Sequence, residues 1–202
     1  MPVTLIAIAG PSAGGKTTLA RALAHSLAPA GAALLPMDAC YRDLSAMTPG
    51  ERTAWNFDAP DAFDWPLILE ALNALLDGRG VDVPVYDFAT HTRTAATQRI
   101  EPQAYLILEG LYALYREDVR SLCRCKVFVT LEADARLKRR VERDVKTRGR
   151  THESVIHQLR TTVEPMFQAH IEPTACHADL ILRGDAPMGE MVAAVMRQLG
   201  AG

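Results

Sequence analysis

Val3-Thr-Leu-Ile-Ala-Ile-Ala9 runs directly into Gly10-Pro-Ser-Ala-Gly-Gly15-Lys16-Thr17, and this junction decides how the rest of the chain is read. The first seven residues are nearly continuous apolar with β-branched members, the pattern of a strand covered on both faces, as in a parallel sheet. Gly10 to Thr17 matches G-x-x-x-x-G-K-[ST], placed where its chemistry needs it, after a strand and opening a helix. Glycines let backbone N–H groups converge on phosphate oxygens, and the positive helix end adds to the field. Gly10, Ser12, Ala13, Gly14, Gly15, Lys16, Thr17 and Thr18 are therefore the candidate triphosphate cradle. Within it, Lys16 reaches for the β- and γ-phosphates and the Thr17 hydroxyl for Mg²⁺.

Downstream, Lys16 to Leu27 reads as a helix with Leu19, Leu23 and Leu27 on one stripe, ended by Pro29 and Gly31. Ala32 to Met37 is a second strand, closed by Asp38. Residues 39–60 carry Pro49, Gly50 and Pro60 and read as loop-rich. Asp61 to Leu76 reads as a helix, with Asp61 and Asp64 in its first turn. Val81 to Tyr86 and Thr97 to Ile100 suggest a small hairpin apart from the main sheet. Tyr105 to Leu108, Lys126 to Thr130 and Leu180 to Leu182 are further short strands. Helices are expected over Ala133 to Lys146, Glu153 to about Ile171, and Met188 to Leu199. Alternating strands and helices predict a three-layer α/β fold on a five-stranded parallel sheet. It is expected as one domain over residues 1–202, with an acceptor-binding segment near 39–104 and a lid near 134–160.

The whole chain has 202 residues, 49% hydrophobic and 23% charged, which fits a folded globular protein and not a disordered one. Its apolar runs fall far short of the ~20 residues of a membrane span, and no basic region precedes the first of them as in a signal peptide. A net charge of −2 argues against a dedicated nucleic-acid binder. Cys40, Cys123, Cys125 and Cys176 lack zinc-site spacing, so reduced thiols in a cytoplasmic protein are expected.

Two acids sharpen the phosphate-loop reading. Asp38 follows the second strand, and Glu109 ends Tyr105-Leu-Ile-Leu-Glu109-Gly110. Residues just past the carboxyl ends of parallel strands meet at one sheet edge, beside the phosphate loop. Asp38 is thereby a candidate base for an incoming hydroxyl, and Glu109 a candidate metal partner. Capping of a loop or helix is the alternative for each.

From Arg136 to Arg150, eight basic residues face two acidic ones, a local charge of +6. Arg136, Arg139 or Arg140, and Arg143 recur at helical spacing, and Arg148-Gly149-Arg150 turns the chain. Such a row suits a lid over a triphosphate; the alternative is a solvated helix face. On the acceptor side, Asn56 to Asp64 packs acids with aromatics, and Pro84 to Arg93 packs aromatics with polar tips. Asp58 offers acceptors for ribose hydroxyls, and Tyr86, Phe88 and His91 offer a flat slot for a base. Tyr86 and Phe88 equally fit one buried strand face.

These stretches together resemble the uridine kinase family of phosphate-loop nucleoside kinases. The likeness rests on Gly10 to Thr18, Asp38-Ala-Cys-Tyr41, Asn56 to Asp64, Pro84 to Arg93, Glu109-Gly110 and the row ending Arg148-Gly-Arg150. It continues through Val163-Glu-Pro-Met-Phe167, Ile171-Glu-Pro173 and Ala178-Asp179. The resemblance implies a P-loop NTPase fold of the nucleoside-monophosphate-kinase kind with a hairpin near the acceptor and an arginine-rich helical lid. It implies γ-phosphoryl transfer from ATP or GTP to the 5′-hydroxyl of uridine or cytidine, in pyrimidine salvage. Asp38 would take the 5′-hydroxyl proton, and Thr17, Asp38 and Glu109 would hold Mg²⁺. Asp58 with Arg140 or Arg143 would bind the ribose 2′- and 3′-hydroxyls. Tyr86, Phe88 and His91 would read the pyrimidine, while Arg143, Arg148 and Arg150 would form the lid. Tetrameric assembly and inhibition by CTP and UTP are further family properties.

The chain departs from the family pattern at Thr130-Leu-Glu132, where paired aspartates are usual, and at Ala175, where a lysine is common. Leu182-Arg183-Gly184-Asp-Ala-Pro187 and Pro11 also differ. The tail changes bear on the donor base and leave the chemical step alone. A related kinase with another acceptor, pantothenate-like or ribulose-phosphate-like, would share the loop and strand-end acid without needing the aromatic cluster. A nucleotide-binding protein without transfer would tolerate loss of Asp38.

Overall fold

The computed structural model describes residues 2–200, the side chains of Thr147 and Arg148 excepted. Strand β1 (Thr4–Ala9) lies at the sheet centre, and its alternation explains the apolar run. Leu5, Ala7 and Ala9 join one core cluster and Ile6 and Ile8 the other, none more than 1% exposed. A strand buried on both faces needs an apolar residue at every position. Each buried Leu or Ile side chain there contributes about 1.5–3 kcal/mol.

The other strands are β2 (Ala32–Pro36), β3 (Val81–Asp87), β4 (Thr92–Ile100), β5 (Tyr105–Glu109), β6 (Cys125–Thr130) and β7 (Leu180–Arg183). Five of them form a wholly parallel sheet in the order β2-β5-β1-β6-β7, as the alternation predicted. The helices are α1 (Lys16–Ser26), α2 (Pro49–Ala54), α3 (Trp65–Leu76), α4 (Glu117–Arg120), α5 (Ala133–Arg148), α6 (His152–Gln158), α7 (Glu164–Met166) and α8 (Met188–Gly200). Leu19 and Leu23 of α1 pack with Met191 and Val195 of α8 on one sheet face; Ile68, Leu72 and Leu75 of α3 cover the other.

Several elements differ from the sequence expectation. Strand β2 stops at Pro36, and Asp38 lies in a 3₁₀ turn, Met37–Cys40. Residues 39–60 contain α2, whose start is a capping box: Thr48 accepts from the Glu51 N–H and Glu51 reaches back to the Thr48 N–H. Helix α3 begins at Trp65 and not at Asp61. Phe63 is extended and bridges Tyr41, so only a 3₁₀ turn, Pro60–Ala62, precedes it. Asp64 caps α3 through Leu67 N–H at 3.2 Å, and Asp61 stays outside the helix. Strand β4 starts at Thr92, well before Thr97, because Thr94 to Arg99 are exposed and carry no apolar alternation to reveal a strand. After α6 the helical course widens into π turns, Leu159–Val163 and Phe167–Ile171, around α7. Pro165 removes an N–H in that stretch, which a regular α-helix would need. Helix α4 had no signal long enough to read.

Strands β3 and β4 form a separate antiparallel ribbon, with a register shift between Pro84 and Tyr86. The ribbon is tied down near its turn by Arg93, whose Nε donates to Tyr41 O at 3.0 Å while Nη2 lies 2.9 Å from Asp64 Oδ2. The α3 cap, the Tyr41 bridge and the ribbon thus meet at one arginine. Among the described residues no helix is long and apolar enough to cross a membrane. The four cysteines are free.

Candidate active site

The phosphate loop leaves β1 through Gly10, at φ +138°, where a Cβ would run into the Val129 carbonyl of β6. Gly15 (φ +104°) closes the loop in the left-handed region, and Ala13 adopts φ +60° despite its side chain. Gly14 donates to Pro11 O at 3.1 Å. A Cβ on Gly184, just past β7, would strike the Gly14 carbonyl, so two glycine backbones press the loop into shape. No described side chain caps α1, unlike α2, α3 and α6, so its first N–H groups remain available to an anion. Lys16 is 8% exposed, and its Nζ donates to Pro11 O at 2.8 Å. Burial lowers its pKa, the Glu109 and Asp38 charges oppose that, and Arg143 and Arg140 add to it. Three cations and two carboxylates therefore act on one another across the cleft.

Glu109 ends β5, paired in register with Ile8 of β1 and Pro36 of β2. The carboxyl ends of these three strands thus bring Glu109, the phosphate loop and Asp38 to one edge. Thr17 Oγ1 donates to Glu109 Oε1 at 2.9 Å. Burial raises the Glu109 pKa; Lys16 pulls it down, Asp38 pushes it up, and the Thr17 bond lowers it. Among the described residues no three His, Cys, Asp or Glu side chains group as a metal cage. Mg²⁺ is ordinarily held by one or two carboxylates together with substrate phosphates, so Thr17, Asp38 and Glu109 form an all-oxygen donor set that fits it.

All of this opens into a single cleft of about 1020 Å³. Its walls include Ser12, Ala13, Gly15, Lys16, Thr17, Thr18, Asp38 and Glu109 at one end, and Asp58, Tyr86, Phe88 and His91 at the other. Gly10 and Gly14 stand behind the loop and shape it without lining the cleft. Asp58 is 7% exposed; its N–H donates to Asn56 Oδ1 at 3.1 Å, and its Oδ2 accepts from Thr162 Oγ1 at 3.5 Å. Tyr86 belongs both to the core cluster and to the cleft wall, so the two readings of it are both met. Its buried Oη has no hydrogen-bond partner among the described residues, and burial pushes its pKa up to about 12, keeping it a donor at neutral pH.

Sequence reading passed over several lining groups. Tyr41 is the hub of the aromatic wall, stacked on Phe63 at 4.5 Å and edge-on to Phe57 and Phe88. Phe57 stacks on His91 at 4.5 Å, and His91 holds φ +56° at the ribbon turn. Phe57 and Tyr41 lay inside quoted motifs, and their aromatic type was the available signal. Trp55, Ser154, Gln158, Gly184 and Met188 also line the cleft, brought there by tertiary packing with no local pattern to mark them, and Arg139 of the basic row joins them.

The basic helix divides by face. Arg140 is 4% exposed; its Nη1 lies 3.9 Å from Asp58 Oδ1, its Nε 3.5 Å from Asp144 Oδ2, and its Nη2 donates to Gln158 Oε1 at 3.1 Å. Arg143 Nε donates to Asp144 Oδ1 at 2.8 Å. Arg150 donates to Gln158 Oε1 and, at 2.8 Å, to Ser154 Oγ. Arg139 turns to the opposite end and donates to Gly184 O at 3.1 Å. Arg136 leaves the row: it pairs with Glu164 at 3.2 Å and lies 4.3 Å over the Phe167 ring. Lys138 and Lys146 are exposed, so the solvated-face reading holds for them. The Arg148 side chain lies outside the described residues.

A family model described as Phosphoribulokinase / Uridine kinase family matches residues 5–186. The chain belongs to that family. A protein named uridine kinase from Deinococcus deserti is 44% identical over 178 residues, covering 88% of this chain and 86% of its own length. Another so named, from Staphylococcus epidermidis, is 44% identical over 179 residues, covering 89% and 86%. Among solved structures, a putative fructose transport system kinase from Silicibacter sp. superposes with TM-score 0.71 at 23% identity, covering 89% of each chain. The phosphoribulokinase of Rhodobacter spheroides gives 0.68 at 16% identity, covering 93% of this chain and 74% of its own. At those identities the likeness is one of fold, the α/β phosphate-loop kinase architecture with its five parallel strands. Gly184, in the tail that follows β7, packs against the Gly14 carbonyl of the phosphate loop.

Proposed function

We propose that this protein transfers the γ-phosphoryl group of ATP or GTP to the 5′-hydroxyl of uridine, cytidine or both. One observation carries the proposal: a single cleft joins a phosphate loop and the Thr17–Glu109 pair to an aspartate set among aromatic rings. Its acceptor end supports a nucleoside over the sugar phosphates that other kinases of this fold phosphorylate. Tyr41, Phe57, Tyr86, Phe88 and His91 suit a flat ring, while a sugar phosphate would need cations in their place.

In this reading the α1 N-terminus and the loop N–H groups hold the triphosphate, and Lys16 contacts its terminal oxygens. Asp58 and Arg140 accept from and donate to the ribose hydroxyls. Asp38 orients the 5′-hydroxyl and receives its proton as the oxygen bonds to the γ-phosphorus and the nucleoside diphosphate departs. Arg143 and Arg150, with Arg148 assigned to the same role, neutralise charge spread over the transferring group. Mg²⁺, held by Thr17, Asp38 and Glu109 when bound, offsets negative charge on the phosphate oxygens.

A coupled assay of ADP release tests the reading across nucleosides, ribulose 5-phosphate and pantothenate. Turnover with uridine or cytidine alone is expected. Preference for either non-nucleoside acceptor, or ATP turnover indifferent to acceptor, overturns it.

A further inference from the structure

Tyr112 stands outside every motif considered above and does not line the cleft. It is fully buried, on the loop that follows β5, three residues beyond Glu109. Its Oη donates to the main-chain carbonyl of Asp58 at 2.5 Å, across 54 positions of sequence. The ring is held edge-on between Phe63 at 5.5 Å and Tyr115 at 5.3 Å, so the hydroxyl has little freedom to leave that bond. The loop that carries the ring is itself anchored, because Gly110 N–H donates to Ile8 O of β1 at 3.1 Å.

Asp58 meets Thr162 Oγ1 and Arg140 Nη1 through its carboxylate, but its backbone lacks the support of a regular element. It belongs to no helix or strand, and its flanking residue Ala59 is extended ahead of Pro60. Its own N–H is bonded to Asn56 Oδ1 and its carbonyl to Tyr112, so both peptide planes beside its Cα are fastened. Fixing both planes fixes the Cα–Cβ direction, and so limits the carboxylate to the few positions its staggered rotamers reach from there. A buried carbonyl that loses its donor pays a desolvation cost unless the backbone turns to find another, and turning swings the side chain with it.

We infer that Tyr112 is a positioning residue for the acceptor, aiming the Asp58 carboxylate at the ribose through its hydrogen bond to the Asp58 carbonyl. The inference rests on the reading of Asp58 as the partner of the ribose hydroxyls. It adds that the loop starting at Glu109 orders both ends of the cleft, the phosphate end through its first residue and the acceptor end through its fourth. Burial and the nearby Asp58 charge raise the Tyr112 pKa, so the hydroxyl remains a donor throughout the working pH range.

The test is steady-state kinetics on Tyr112→Phe, which keeps the ring and deletes the hydroxyl. KM for uridine is expected to rise about three- to tenfold, with kcat and KM for ATP within about twofold. The preference for uridine over 2′-deoxyuridine in kcat/KM should shrink by a similar factor. Leu114→Val, a packing loss in the same buried loop, controls for loosened structure and should leave that preference unchanged at a comparable fall in Tm. Asp58→Asn supplies the reference. If it abolishes the ribose preference while Tyr112→Phe keeps it, the positioning role is overturned and the role of Asp58 stands. If Asp58→Asn itself keeps the preference, the ribose reading of Asp58 fails and the positioning role fails with it. A rise in KM for ATP equal to that for uridine, or a Leu114→Val profile matching Tyr112→Phe, also overturns the inference.

Discussion

Asp38 and Glu109 stand at the same edge, act on the same lysine and differ in what surrounds them. Glu109 is tied to Thr17 by a 2.9 Å bond and shares the charge of Lys16, whereas Asp38 sits in a 3₁₀ turn, its carboxylate without a hydrogen bond to the loop among the described residues. An acid that must meet an incoming hydroxyl benefits from that freedom, and one that holds the phosphate end benefits from being fixed. Asp38→Asn should therefore leave ATP affinity within about threefold while kcat falls by roughly 10²–10⁴. Calorimetric titration with ATP and an ADP-release assay separate the two effects; equal losses in affinity and rate would contradict the base assignment. The residue scale also explains what an ordinary alanine does at φ +60° in the loop: Ala13 stores a small backbone strain of about 1 kcal/mol, held by the glycines on either side of the turn.

At the scale of elements, α5 is an arginine carrier whose orientation depends on one buried acid. Asp144 is 0% exposed and faces both Arg140 and Arg143, while its main-chain oxygen accepts from Arg150 N–H at 3.3 Å. Three candidate arginines from one helix and the turn beyond it are thus gathered at a single point. Removing the carboxylate takes from Arg140, itself buried, the acid 3.5 Å from its Nε, and leaves its charge beside Lys16 to be offset by Asp58 at 3.9 Å. Asp144→Ala is expected to cost about 3 kcal/mol of stability and to lower kcat/KM for uridine by more than about tenfold. Thermal melts and kinetics check this, and a wild-type Tm would show that the pair is dispensable. Helix α3 gains its place differently, through the Asp64 cap and the Asp64–Arg93 pair that fastens the β3–β4 ribbon beside it.

For the molecule as a whole, the site opposes stability. Burial raises Glu109 above its ordinary value of 4.5, so the folded chain holds a proton there over a range in which the unfolded chain has released it. Stability consequently falls as pH rises from about 4.5 through the raised value, and the deficit persists at neutral pH. Glu109→Gln removes that deficit while keeping an oxygen for the Thr17 hydroxyl. Its Tm at pH 7 is expected to exceed that of the parent by about 2–4 °C, converging with it below pH 4.5. Activity should fall by about a hundredfold or more at the same time. A lower Tm at pH 7 would show that the carboxylate is a net stabiliser.

The five parallel strands, the phosphate loop and most of the candidate site were legible in the chain itself, because each depends on local rules. Unbroken apolar runs mark strands buried on both faces, G-x-x-x-x-G-K-[ST] marks backbone that must curl around an anion, and strand-end acids gather wherever a sheet is parallel. Boundaries set by contacts between distant segments were not legible: the α3 start displaced by the Tyr41–Phe63 bridge, the polar β4 hidden by its exposure, the widened turns around Pro165. The same holds for which arginines face the cleft. Arg136 and Arg140 lie one helical turn apart, yet one stacks on Phe167 and the other meets Asp58, since a helix carries its residues on a regular screw and only its neighbours decide which side is inside. Tyr112 is the clearest case: nothing near it in the chain points to Asp58, and the fold alone brings its hydroxyl there.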